Sequence, residues 1–176
     1  NLSHLAWHKD VVVDNPRHED KQTVSDMYIA VAEGIKLMAI SSAIHNDDGQ
    51  VIGALCISMS TDTLNHQADV ILSDFQEHFD NNSLLVITST DEDIMYHYEY
   101  DHKLKRYRNF SDNPLKVDEV ASLPVDVKNA ISSIRSKGAT LDTFTWNKQD
   151  AYIARSAVEG TPYTVYLMVP EATLLT

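Results

Sequence analysis

Eight histidines in a chain of 176 residues raise the question of a metal or haem centre, and His4 and His8 have the i,i+4 spacing that a helix would place on one face. Neither an HExxH pair nor a Cys/His set accompanies them, so surface histidines explain the pattern better. The acidic runs Asp91-Glu92-Asp93 and Asn46-Asp47-Asp48-Gly49 match calcium loops in charge only. An EF-hand distributes its ligands over about twelve residues and closes on a glutamate, so both runs are expected to be turns. With five glycines in the whole chain, no nucleophile elbow, phosphate-binding loop or dinucleotide fingerprint can be assembled. No catalytic residue, metal or cofactor is expected, and the chain is not expected to be an enzyme.

Binding chemistry is easier to find. A small-molecule pocket needs an apolar wall with a few polar groups that fix orientation, which a sheet face supplies when aromatic and polar residues alternate along strands. Tyr28, Lys36 and Ser41 form one such set, with Lys36 available to pair an anion. A second set follows the period of two in Tyr96, Tyr98 and Tyr100, with Trp146, Tyr152 and Arg155 on neighbouring strands. In each case the bland alternative is a packed or half-exposed sheet face. The basic cluster Lys103, Lys105, Arg106 and Arg108 is diluted by Asp101 and Asp112 and is expected to be a solvated loop.

The elements that would carry these residues follow from turn chemistry and period. Residues 14–26 are polar and charged and are expected to form a loop. Met27–Ala32 and Ile35–Ile44 flank Glu33-Gly34 as a hairpin. The Asn46-Asp47-Asp48-Gly49 reversal then leads into a third strand, Gln50–Ser60. Thr61-Asp62 starts a helix running to about Phe79, with Leu64, Ala68, Ile71, Leu72, Phe75 and Phe79 on one apolar face. Strands follow at Leu84–Thr88 and Ile94–Tyr100. Val125–Lys137 is a helix that buries Val127, Ala130, Ile131 and Ile134 and ends at Gly138. Three strands, Ala139–Trp146, Ala151–Val158 and Tyr163–Val169, complete the pattern. From residue 84 this order predicts one antiparallel sheet of five strands with helices against one face.

Composition agrees with a folded domain, since 43% of residues are apolar and 23% charged. A net charge of −12 opposes binding to nucleic acid or anionic lipid. The single cysteine, Cys56, lies in an apolar run and is expected to be a buried thiol. No stretch reaches the roughly 18–20 apolar residues that span a bilayer. A start at Asn1-Leu2-Ser3-His4 without methionine is expected of a piece of a longer protein whose membrane segments lie elsewhere.

Tyr28, Gly34, Ser41 and the run Asp47-Asp48-Gly49-Gln50-Val51-Ile52-Gly53 leading to Ile57-Ser58-Met59-Ser60 resemble the distal module of double Cache domains. Gly160-Thr161-Pro162-Tyr163 through Val169-Pro170 resembles the last strand of their proximal module. The resemblance covers residues 27–60 and 84–170 and rests mainly on turn glycines and strand apolars. It implies an α+β fold of PAS-like antiparallel sheets with flanking helices: a partial distal module over 1–60, a connecting helix over 61–80 and a complete proximal module over 81–176. It also implies a ligand-binding sensor on the periplasmic or extracellular side of an inner-membrane receptor. Such receptors couple to a chemotaxis, histidine kinase or cyclic-dinucleotide output, and a homodimer is expected in the full-length protein. Family members that bind amino acids carry an aspartate in the strand after the turn, where this sequence has Ser58, and another two residues after the strand tyrosine, where it has Ala30. Trp7 and Arg17 stand for the upstream aromatic and arginine. The alternative is a structural or dimerisation module that uses the 61–80 helix as its interface.

Overall fold

Small and β-branched residues run on both sides of a turn built by Asn46, and they form the two longest strands, β3 (Lys36–His45) and β4 (Val51–Ser60). The Asn46 side-chain oxygen accepts hydrogen bonds from the backbone N–H groups of Asp48 at 3.1 Å and Gln50 at 2.8 Å. Gly49 closes the turn at φ 78°, which a residue with a Cβ rarely adopts. The computed structural model describes residues 22–26, 28–29, 36–60, 83–89, 95–101, 106–109 and 117–174. The chain divides into two units, residues 1–64 with 159–162 and residues 65–158 with 163–176.

In the first unit β3 is central. Strand β4 lies along one side, and β1 (Gln22–Val24) and β2 (Tyr28–Ile29) follow each other along the other side, all antiparallel to their partner. The register slips by one residue between Val24 and Tyr28, and Ser25 holds the gap. Its N–H donates to the Ala39 carbonyl at 2.8 Å, and its hydroxyl oxygen accepts from the Ala39 N–H at 2.9 Å. Strand β1 lies in the stretch expected to be a loop. Its polar Gln22-Thr23-Val24 is drawn into strand by pairing with Ile40–Ser42, a nonlocal partner that local composition cannot reveal. β2 and β3 pair antiparallel, as the expected hairpin requires, and its Glu33-Gly34 turn lies outside the described residues.

The second unit is a six-stranded antiparallel sheet in the order β7-β6-β5-β10-β9-β8. Its strands are β5 (Leu84–Ser89), β6 (Met95–Asp101), β7 (Arg106–Asn109), β8 (Leu141–Trp146), β9 (Gln149–Ala157) and β10 (Tyr163–Pro170). Five of these match expectation within a few residues, and β7 is the addition. Arg106 and Arg108, expected in a solvated loop, are in a strand and pair with Asp101 and Glu99 in the β6–β7 register. Helix α1 (Val125–Ser136) occupies the expected span, and Gly138 follows it at φ 63°. Pro124 supplies no side-chain cap; Asp126 accepts from the Val127 N–H at 2.9 Å and from the Asn147 N–H at 3.1 Å, tying the helix start to the β8–β9 turn.

Val127, Ala130, Ile131 and Ile134 of α1 pack with Val120 and Leu123 onto Leu84, Val86, Ile153, Tyr166 and Met168, the core of this unit. Phe144 and Trp146 flank it, their rings stacked at 6.5 Å. A short helix, α2 (Glu171–Leu174), follows β10. No helix among the described residues is long and apolar enough to cross a membrane. The helix expected over 61–80, the candidate pair His4 and His8, and Trp7 and Arg17 lie outside the described residues.

Candidate functional site

Period two sorts the first unit's sheet into unlike faces. On one face the ladder rows are Thr23–Ser41–Cys56, then Ala39–Ser58, then Tyr28–Leu37–Ser60. Ala43 and Ala54 extend the same face. Apart from Tyr28 and Leu37 these side chains are small, so the floor is low and lined with hydroxyls. The Tyr28 hydroxyl lies 3.2 Å from the Ser58 hydroxyl, and the Cys56 sulfur lies 3.9 Å from it in turn. Cys56 is half-buried rather than fully buried as expected. Ser41 is 1% exposed, yet among the described residues its hydroxyl oxygen has no hydrogen-bond partner, and the same holds for the buried hydroxyl oxygen of Thr23 opposite it. A buried hydroxyl without a partner costs about 1–3 kcal/mol, so these two adjacent ones hold unused hydrogen-bonding capacity that a ligand or water could satisfy.

Three expected residues of this unit, Tyr28, Ser41 and Ser58, therefore share one face. The fourth, Lys36, stands opposite Ile29 in the ladder, five residues before Ser41 and so out of phase with the Ser41 row. Thr23 and Cys56 complete the row and were missed, Thr23 because its strand was expected to be a loop. The opposite face of β3 and β4 carries Ile40, Ile44, Leu55 at 60% and Ile57 at 58% exposure, all apolar and open.

In the second unit the expected set does not converge. Trp146 and Arg155 lie on the face that meets α1, paired with Gln149 and Tyr166 respectively. Those two positions on β9 are six residues apart, roughly 20 Å along a strand. Trp146 packs against the core with its indole nitrogen unpartnered, and Arg155 has a buried, unpartnered Nε. Tyr152 is one step out of phase with both and belongs to the other face. Tyr96 and Tyr98 stand opposite Ile87 and Leu85 in the β5–β6 ladder.

Tyr152 instead enters a cleft of about 390 Å³, whose polar groups come from Thr143, Thr145, Asp150, Tyr152 and Glu171. Thr143 faces Tyr152, and Thr145 faces Asp150, across the β8–β9 ladder. The Tyr152 hydroxyl donates to a Glu171 carboxylate oxygen at 3.2 Å. That bond and the charge of Glu171, with burial and Asp150 adding to them, push the phenol above its ordinary value, so it stays protonated as the donor. At the neighbouring edge Lys137 bridges Asp142 at 2.6 Å, which holds the Asp142 carboxyl below its usual range. The threonines and Asp150 could have been found from their alternation around the Asn147-Lys148 turn. Glu171 could not, because it reaches Tyr152 only through the pairing of β9 with β10. Among the described residues no group of three or more His, Cys, Asp or Glu residues could hold a metal ion.

No protein-family model matches this sequence, and no curated relative does. Solved structures do match. The periplasmic sensory domain of the Campylobacter jejuni chemoreceptor Tlp1 matches 99% of this chain and 58% of its own, with TM-score 0.59 and 14% identity. The ligand-binding domain of the Pseudomonas fluorescens chemoreceptor CtaA, in complex with L-alanine, matches 99% of this chain and 63% of its own, with TM-score 0.55 and 14% identity. The sensory domain of the Campylobacter jejuni chemoreceptor Tlp3, with isoleucine bound, matches 90% and 52%, with TM-score 0.53 and 13% identity. The chain thus spans between 52% and 63% of the length of these three. At such identities the likeness is one of fold: this chain is built of PAS-like antiparallel sheets and helices, as the periplasmic sensory domains of these chemoreceptors are.

Proposed function

We propose that the chain is the ligand-binding sensor region of a transmembrane signalling receptor, lying on the periplasmic or extracellular side of an inner membrane. In this reading it recognises a small molecule, takes no part in catalysis, and works as a homodimer within the full-length receptor. The observation that carries the reading is the pair of buried, unpartnered hydroxyls of Thr23 and Ser41 on a floor of small residues beside Tyr28 and Ser58. The fold supports it, since the matching chemoreceptor domains include ones with L-alanine and isoleucine bound. Hydroxyls rather than charges dominate the described part of the floor, which suits a small polar ligand held by neutral hydrogen bonds.

The division into a partial distal module over 1–60, a connecting helix over 61–80 and a complete proximal module over 81–176 belongs to the same proposal. Its support is the contrast between the two sheets. In the second, β10 is flanked by β5 and β9, whereas among the described residues β4 pairs with β3 alone.

The test is a thermal-shift screen of the chain against amino acids, carboxylates, amines and nucleosides. One class is expected to raise the midpoint, because a ligand at 100 times its Kd adds about 2.7 kcal/mol, or roughly 5–11 °C at this chain length. The double variant Thr23→Val, Ser41→Ala should hold or gain stability, since each buried hydroxyl it removes lacks a partner among the described residues, and should lose about tenfold in affinity. A flat screen, with a self-association midpoint indifferent to every compound, would favour the structural or dimerisation module instead. The exposed apolar face of Ile40, Ile44, Leu55 and Ile57 is the observation that supports that second reading.

A further inference from the structure

We propose that the cleft between the β8–β9 hairpin and α2 is a separate binding site for an organic ammonium ion. It goes beyond the sensor reading and does not depend on the first unit's hydroxyl floor. Asp150 and Tyr152 stand two residues apart on the same face of β9, about 7 Å along the strand. Glu171 is fixed from above through its hydrogen bond from the Tyr152 hydroxyl. The cleft is thus lined by two carboxylates, that of Glu171 at the phenol hydroxyl and that of Asp150 two residues along the strand, together with the Thr143 and Thr145 hydroxyls. Among the described residues neither Asp150 nor Glu171 has an ion-pair partner, and Lys137 pairs with Asp142, whose ladder position opposite Ile153 is on the other face of the sheet from Thr143 and Tyr152. Among the described residues the cleft's lining includes no Lys, Arg or His, and its charged groups are the carboxylates of Asp150 and Glu171.

The donor set decides which cation fits. A divalent metal wants six or more oxygen ligands with several from carboxylates. Two carboxylates set apart by a tyrosine ring meet that poorly. A primary ammonium has three N–H donors for carboxylate and hydroxyl oxygens, and the carbon chain that follows it can lie on the Tyr152 ring, whose face also attracts the charge. The cleft volume of about 390 Å³ is that of a small-molecule site. Occupancy would join the β8–β9 hairpin to α2 through the ligand.

The experiment is a titration of the ¹⁵N-labelled chain with 1,4-diaminobutane, followed by amide chemical shifts, with calcium chloride and sodium acetate as separate probes. Saturable shifts are expected at the amides of Thr143–Thr145, Asp150–Tyr152 and Glu171, with none from acetate. Glu171→Gln and Asp150→Asn should each weaken the diamine about tenfold or more, the effect of removing a charged hydrogen-bonding partner. Asp142→Asn, outside the cleft, should leave the affinity unchanged. Asp150 is exposed at the start of its strand, so its variant keeps the test valid if Glu171→Gln does not fold. Shifts scattered over the acidic surface without saturation, shifts at the cleft that both variants leave intact, or calcium binding as tightly as the diamine would each overturn the proposal. Failure of the sensor reading is distinguishable, because a ligand on the first unit's floor would move the amides of Thr23, Tyr28, Ser41 and Ser58 instead.

Discussion

Ile134 is fully buried, with 0% of its surface exposed, in the cluster where α1 meets the six-stranded sheet. Ile134→Ala removes three carbons from that contact. At about 0.8 kcal/mol for each buried CH₂, the lost transfer free energy is about 2.4 kcal/mol. The cavity left under a helix that cannot collapse fully adds to this, so the expected loss is about 3.5 kcal/mol, within the roughly 2–5 kcal/mol seen for such truncations. At this chain length the midpoint should fall by roughly 7–14 °C. The assay is urea unfolding followed by tryptophan fluorescence in a Trp7→Phe background, which leaves Trp146, at the edge of the same cluster, as the only reporter. The slope against urea should stay constant while the midpoint moves. Asn129→Ala, on the exposed side of the same helix, should change stability by no more than about 0.5 kcal/mol. A loss below about 1.5 kcal/mol at Ile134 would refute the reasoning, since only a half-buried side chain costs so little.

Backbone geometry gives a matched pair of expectations: Gly138→Ala at φ 63° should cost about 1 kcal/mol, and Lys148→Gly at φ 65° should stabilise by about 0.5–1 kcal/mol, both read as urea midpoints. Asn46→Ala removes the acceptor for two backbone N–H groups and should destabilise the β3–β4 hairpin by about 1 kcal/mol, visible as faster hydrogen exchange at Asp48 and Gln50. Asp142 has its folded pKa held below its unfolded value, so its stabilisation is present above about pH 4 and is lost as pH falls through the folded value. Asp142→Asn should therefore destabilise at pH 7, and the difference from the parent chain should shrink as pH falls below about 4 and through the folded value. A difference that persists there would assign the effect to packing rather than to charge.

What the sequence determined by itself is local. Gly138 after a run with Val127, Ala130, Ile131 and Ile134 on one face specifies α1, because 3.6-residue periodicity and a left-handed C-terminal residue are properties of contiguous chain. Asn46 to Gly49 and Asn147-Lys148 specify hairpin turns for the same reason. That Tyr28, Ser41 and Ser58 share one face follows from period two, which puts alternate residues of a strand on one face, and from the turn at Asn46, which sets the register between β3 and β4. Tertiary structure decided the rest. Only pairing with β3 turns Gln22–Val24 into a strand and sets Thr23 beside Ser41. Only the pairing of β9 with β10 delivers Glu171 to the Tyr152 hydroxyl. These are contacts between residues far apart in the chain, and the free energy that selects them comes from burial across a whole sheet, a quantity that no short window of sequence contains.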